Sequence, residues 1–156
     1  MENERKTDRS ADMGMDEHRL SDILLASQIK ATDIYETPPQ IIWIDNSTIA
    51  TLGNFSASTG KAKSKKTFNV SALVAASLAG KQVLNYRAHL PEGKQRILYV
   101  DTEQSRFHCR SVLERILRLA GLPTTTDPEN LDFFCLREYS PSVRIEVIDY
   151  ALRQQK

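Results

Sequence analysis

Apolar and polar positions along the chain fall into segments of different period. Residues 1 to about 15 carry almost no large apolar side chains, and a stretch that cannot bury apolar surface is expected to stay disordered. Leu20, Ile23, Leu24 and Ser27 then follow helical spacing and predict a short helix near 16–30, read as a docking helix or linker. Thr37-Pro38-Pro39 breaks it, because proline cannot continue a helix and restricts the residue before it. Ile41-Ile42-Trp43-Ile44 is a β-type run, followed by a turn at Asp45-Asn46. Residues 48–52 and 54–59 read as two further short strands, bent at Gly53.

From residue 67 the pattern changes. Residues 67–79 are apolar nearly all round, with Gly80 suited to the C′ position, which predicts a helix buried against a sheet. Residues 96–101 are a compact apolar run ending in Asp101, the pattern of a buried parallel strand. Apolar positions 109, 112, 113, 116, 117 and 120 keep a period of about 3.6 residues, so a helix is expected over 105–120, capped by Ser105 and stopped by Gly121 and Pro123. Leu131 to Leu136 reads as another strand. Ser140-Pro141 then opens a helix with Val143, Val147, Ile148, Ala151 and Leu152 on one face. Strand and helix alternate, which predicts an α/β fold with a parallel sheet flanked by helices. The expected organisation is a polar tail and linker helix over 1–37 and one domain over 38–156. The last helix runs into Lys156, so the chain reads as cut off inside its fold.

Composition narrows the classes. The chain has 156 residues, 40% apolar and 26% charged, enough for one packed domain. Its formal charge is +1, which excludes a histone-like or strongly acidic chain and leaves partners to local patches. Residues 1–22 are locally acidic, with seven carboxylates against four basic side chains. No apolar run approaches the roughly 20 residues that span a bilayer, and the N-terminus lacks the apolar core of a secretory signal. Two cysteines, Cys109 and Cys135, make neither a disulfide framework nor a four-ligand zinc set, so a reducing cytoplasm is expected.

The chemistry concentrates in Gly60-Lys61-Ala62-Lys63-Ser64-Lys65-Lys66-Thr67. These residues match a phosphate-binding loop, Gly-x-x-x-x-Gly-Lys-[Ser/Thr], except that Lys65 stands where the second glycine belongs. Such a loop turns backbone N–H groups toward phosphate oxygens and leads directly into a helix N-terminus. Gly60 allows the turn, Lys66 reaches the β and γ phosphates, and the Thr67 hydroxyl binds Mg²⁺. If position 65 needs a positive φ, a lysine there costs about 1 kcal/mol or more. A relaxed form of the pattern occurs by chance in roughly one chain in ten of this length, so its weight comes from context. That context is an extended segment before it, a buried-type helix after it and an acidic strand end some way on. The bland reading of the same residues is a solvated lysine-rich loop.

The acidic strand end is Asp101-Thr102-Glu103-Gln104, at the edge where open α/β sheets bind ligands. Beside a triphosphate, Glu103 is expected to polarise a water for in-line attack and Asp101 to assist Mg²⁺ through a water. The competing reading is that both carboxylates only stabilise the following helix N-terminus.

Two strings, GKAKSKKTF and YVDTEQSRFHCRSVLERILRLAGLP, together resemble the RecA-type P-loop ATPases, nearest the RepA-like ATPases of bacterial plasmids and mobilizable transposons. The resemblance covers roughly residues 38–156. It implies ATP and Mg²⁺ binding, Walker A roles for Lys66 and Thr67, a catalytic glutamate at Glu103, a homo-oligomeric ring, and ATP hydrolysis coupled to DNA handling in replication, excision or mobilisation of a mobile element. The family's Walker B strand finds no counterpart after 141–155, so weak or absent hydrolysis is expected of this chain. Two alternatives stand beside this reading. One is a nucleotide-binding regulator that does not hydrolyse; the other is a DNA-binding module that uses 61–66 for phosphate contacts.

Other residues carry blander expectations. His108 reads as a surface or hydrogen-bonded histidine, and Cys109 and Cys135 as reduced core thiols. Trp43 and Tyr35 read as packing residues. Arg106, Arg110, Arg115 and Arg118 read as a solvated helix face, with a subunit or DNA contact as the alternative.

Overall fold

The computed structural model describes residues 17–61 and 65–154, so the tail expected over residues 1 to 15 lies outside the described residues. The chain divides into two compact units, Met1–Thr37 and Pro38–Lys156. In the first, α1 (Glu17–Ser27) buries none of its residues and keeps Leu20, Ile23, Leu24 and Leu25 exposed.

The second unit begins with β1 (Gln40–Ile44) and β2 (Ser47–Thr51), an antiparallel hairpin turned at Asp45, whose φ is 50°. Residues 54–61 form no regular element, and α2 (Lys66–Ala79) follows. After α2 comes β3 (Tyr86–Ala88), which pairs antiparallel with the free side of β1 and completes a sheet of order β2-β1-β3. Then follow β4 (Ile97–Asp101), α3 (Arg106–Ala120), β5 (Leu131–Cys135) and α4 (Pro141–Gln154). Strands β4 and β5 are parallel, in register from Ile97↔Leu131 to Asp101↔Cys135. On one face of that pair the rings of Tyr99 and Phe133 stack with centroids 4.3 Å apart.

Packing centres on α2. It buries Ser71, Ala72, Val74, Ala75, Ala76 and Ser77, and its small side chains let α3 approach closely. Val112, Ile116 and Ala120 of α3 join Tyr86 and Ala88 of β3, Ile42 and Leu131 in one apolar cluster around it. Two serine hydroxyls are tolerated in α2 because each donates back one turn, Ser71 Oγ to Thr67 O at 2.7 Å and Ser77 Oγ to Leu73 O at 3.1 Å. Helix α3 carries its own punctuation. Ser105 caps its start, and Gly121, at φ 78°, closes it with Gly121 N donating to Arg118 O and Leu122 N to Leu117 O.

The structure is α/β, but it departs from the expected single parallel sheet. Among the described residues one parallel pair and one three-stranded antiparallel sheet are present. Residues 54–59 form no strand. Gly53 turns at φ 81°, Asn54 ties back to Thr51 through backbone and side chain, and Phe55 stands 94% exposed. The segment has no apolar face to bury, so nothing offsets the entropy of holding it in a sheet. The sequence reading also lacks β3, whose three residues are too short for an alternating pattern to show. Along α4 the expected apolar face is only partly used: Val147, Ile148 and Ala151 are half-buried, while Val143 and Leu152 are exposed.

Candidate functional site: the loop entering helix α2

The loop begins with Gly60 and Lys61, both exposed; Ala62, Lys63 and Ser64 lie outside the described residues. Lys65 adopts the left-handed conformation, φ 60° and ψ 23°, and its carbonyl accepts from Phe68 N and Asn69 N, both at 3.0 Å. Those bonds start α2. The Lys65 side chain makes no cap hydrogen bond to the first turn. The positive end of the helix dipole faces the loop. Lys66 folds back: its Nζ donates to Gly60 O at 2.6 Å and to Lys61 O at 3.1 Å. Thr67 has its carbonyl engaged by Ser71 and lines a cavity of about 430 Å³ with Lys65, Phe68 and Arg115.

The acidic turn lies at the C-terminal end of β4. Asp101 is buried and its carboxylate is occupied: Oδ1 accepts from Glu103 N at 2.9 Å and Gln104 N at 2.8 Å, and Oδ2 accepts from Gln104 Nε2 at 2.8 Å. These three bonds hold the turn that aims Glu103 outward, and the Glu103 side chain is exposed. Neither carboxylate borders the cavity beside Lys65 and Thr67. The structure thus gathers Gly60, Lys61, Lys65, Lys66 and Thr67 at one loop and assigns Asp101 the shaping of another.

Under that turn sit the two cysteines, both free. Cys109 Sγ and Cys135 Sγ each donate to Gln104 O, at 3.8 and 3.4 Å. Burial, the hydrogen bond to Cys135 and the nearby Asp101 push the Cys109 thiol up to about 12. Cys109 is accordingly a protonated anchor for the turn, and Cys135 bonds the same carbonyl. Tyr99 is also raised, first by burial and then by Asp101 and Cys109, with Arg115 pulling in the opposite direction.

His108 is exposed and hydrogen-bonds Ser105 Oγ through Nδ1 at 2.9 Å. Trp43 is half-buried, with its indole N–H on Gln40 Oε1 and the Arg87 guanidinium 4.9 Å from the ring centroid. Tyr35 is exposed, its hydroxyl on Asp33. The arginines of α3 do not form one solvated face. Arg110 and Arg118 converge on Glu114, whereas Arg115 is half-buried at the cavity. Phe68 and Arg115 are the residues that sequence reasoning missed. Phe68 directly follows the loop motif, and Arg115 lies three residues after the core position Val112, so each had a local signal.

No family model, no curated protein and no solved structure matches the chain. Among the described residues no group of three or more His, Cys, Asp or Glu side chains is arranged to hold a metal ion. No helix among them is long and apolar enough to cross a membrane.

Proposed function

We propose that residues 38–156 form an ATP-binding domain of the P-loop kind, with the segment from Gly60 to Thr67 receiving the phosphates. The observation that carries this reading is the posture of Lys66. Its ammonium is held on the Gly60 and Lys61 carbonyls. A phosphate chain entering there exchanges two neutral acceptors for charged ones, which bind an ammonium about twice as strongly. The α2 N-terminus, where the Lys65 side chain makes no cap, offers further backbone donors to a phosphate. Mg²⁺ brought with ATP keeps most of its waters and needs only one or two protein oxygens. The Thr67 hydroxyl suits that role, whereas the Asp101 oxygens are already occupied by three N–H donors. The metal's chemistry, if bound, is neutralisation of phosphate charge.

Hydrolysis through Glu103, ring assembly and coupling to DNA during movement of a mobile element rest on the resemblance to RepA-like ATPases. A second reading, nucleotide binding without turnover, is favoured by one observation: Glu103 and Asp101 do not border the cavity at Lys65 and Thr67. Calorimetric titration with Mg-ATP tests the first claim. Wild-type protein is expected to bind and Lys66→Ala to lose binding. Phosphate release then separates the two readings: turnover that Glu103→Gln stops while binding persists supports an ATPase, and binding without turnover supports the regulator. Salt-sensitive DNA binding that ATP leaves unchanged, with no heat on ATP addition, would overturn both in favour of a DNA-contacting loop.

A further inference from the structure

The cavity beside the loop brings in side chains from outside it. Of its lining residues, Lys65 and Thr67 belong to the loop, while Phe68 and Arg115 bring an aromatic ring and a guanidinium from α2 and α3. Phe68 lies in the first turn of α2, where Thr67 and Asn69 are exposed as well, and it is itself 40% exposed. Part of its ring therefore stays open to the cavity. Arg115 differs from its neighbours on α3. Arg110 has Glu114 at 3.2 Å and Thr124 O at 2.7 Å, and Arg118 has Glu114 at 3.4 Å. Among the described residues no carboxylate or carbonyl pairs with Arg115, although the side chain is half-buried. A guanidinium partly withdrawn from water and lacking an anion is held at a cost that an arriving anion removes.

We infer that this cavity seats a single nucleotide, with the Phe68 ring against the base and the Arg115 guanidinium on an oxygen of the phosphate chain. The inference rests on the nucleotide reading above and adds a direction: the nucleotide lies along the α2–α3 side of the loop, away from Glu103. The size agrees, because about 430 Å³ falls in the lower part of the range of roughly 300–1,000 Å³ seen for small-molecule sites. Every base has a π-face, so Phe68 favours a base without selecting adenine, and competing nucleoside triphosphates are expected to bind within a few-fold of ATP.

The test is calorimetry on the full chain with two probes, Mg-ATP and inorganic Mg-tripolyphosphate, supported by thermal melts that verify folding. Arg115→Gln is expected to weaken both probes by about tenfold, and Arg115→Lys by less, because an ammonium keeps the charge and loses the fork. Phe68→Ala is expected to weaken ATP by about tenfold and tripolyphosphate by less than about twofold. In the wild-type chain, the Arg115 Nε–H resonance shifts on addition of either probe, which needs no variant to fold. ATP binding that depends on Lys66 but is unchanged in both variants, with a still Arg115 resonance, overturns this inference and leaves the loop reading intact. Absence of ATP binding in the wild-type protein removes the loop reading and this inference together.

Discussion

At the scale of single residues, position 65 shows most clearly how local chemistry and structure meet. The motif places a glycine there, the chain carries lysine, and the backbone is left-handed at φ 60°. A side chain with a Cβ pays about 1 kcal/mol in that region, whereas glycine does not. Lys65→Gly is therefore expected to raise unfolding free energy by about 0.5–1 kcal/mol in urea titration; an unchanged or lower stability would show that the lysine side chain contributes contacts that outweigh the backbone term. The residues of the loop were legible in the sequence because their types are the chemistry: an ammonium, a hydroxyl and a flexible entry. The attachment of Lys66 to Gly60 O and Lys61 O was not, since any lysine at that spacing is free to point elsewhere. Asp101 was legible as a carboxylate at a strand end, but its three N–H partners depend on how the turn closes.

At the scale of elements, the helices were readable and the strands less so. Helix α3 announces itself through Ser105, a regular apolar period and Gly121, signals that lie within the helix and its flanks. Helix α2 shows the same logic through its apolar content and Gly80, also left-handed at φ 60°. The two helices meet through Ala72, Ala75 and Ala76 on one and Ile116 on the other, all fully buried. Ile116→Ala removes most of a fully packed side chain at that crossing, and the loss is expected to be about 3 kcal/mol by urea denaturation. A cost under about 1 kcal/mol would mean that the two helices close over the gap. Strands depend on partners supplied from elsewhere in the chain. Residues 54–59 looked extended but have no strand partner among the described residues. Tyr86–Ala88 looked unremarkable but found the free edge of β1.

At the scale of the whole molecule, the buried Cys109 thiol couples the turn that carries Glu103 to global stability. Cys109 comes from α3 and Cys135 from β5, and both hold Gln104 O at the end of β4. An unfolded thiol titrates near 9.0, while Cys109 in the folded chain is pushed up to about 12. Between those values the folded chain retains a proton that the unfolded chain releases. Stability is therefore full below about pH 9 and declines as pH rises toward 12. Tyr99, raised from 10.0, acts with the same sign at the upper end of the window. Melting temperatures followed from about pH 8 to about pH 11 should fall less steeply for Cys109→Ala than for the wild type, and parallel slopes would remove the thiol from this account. By itself the sequence determined where the helices start and stop and that strands are mixed with helices, because caps and periodicity act over a few residues; side-chain type marked residues 60–67 as the candidate phosphate loop. Only the tertiary structure decided that the strands split into two sheets, that Asp101 is spent on a turn and that Arg115 faces the cavity beside Thr67. Those outcomes are set by contacts between residues far apart in the chain, and such contacts leave no local trace.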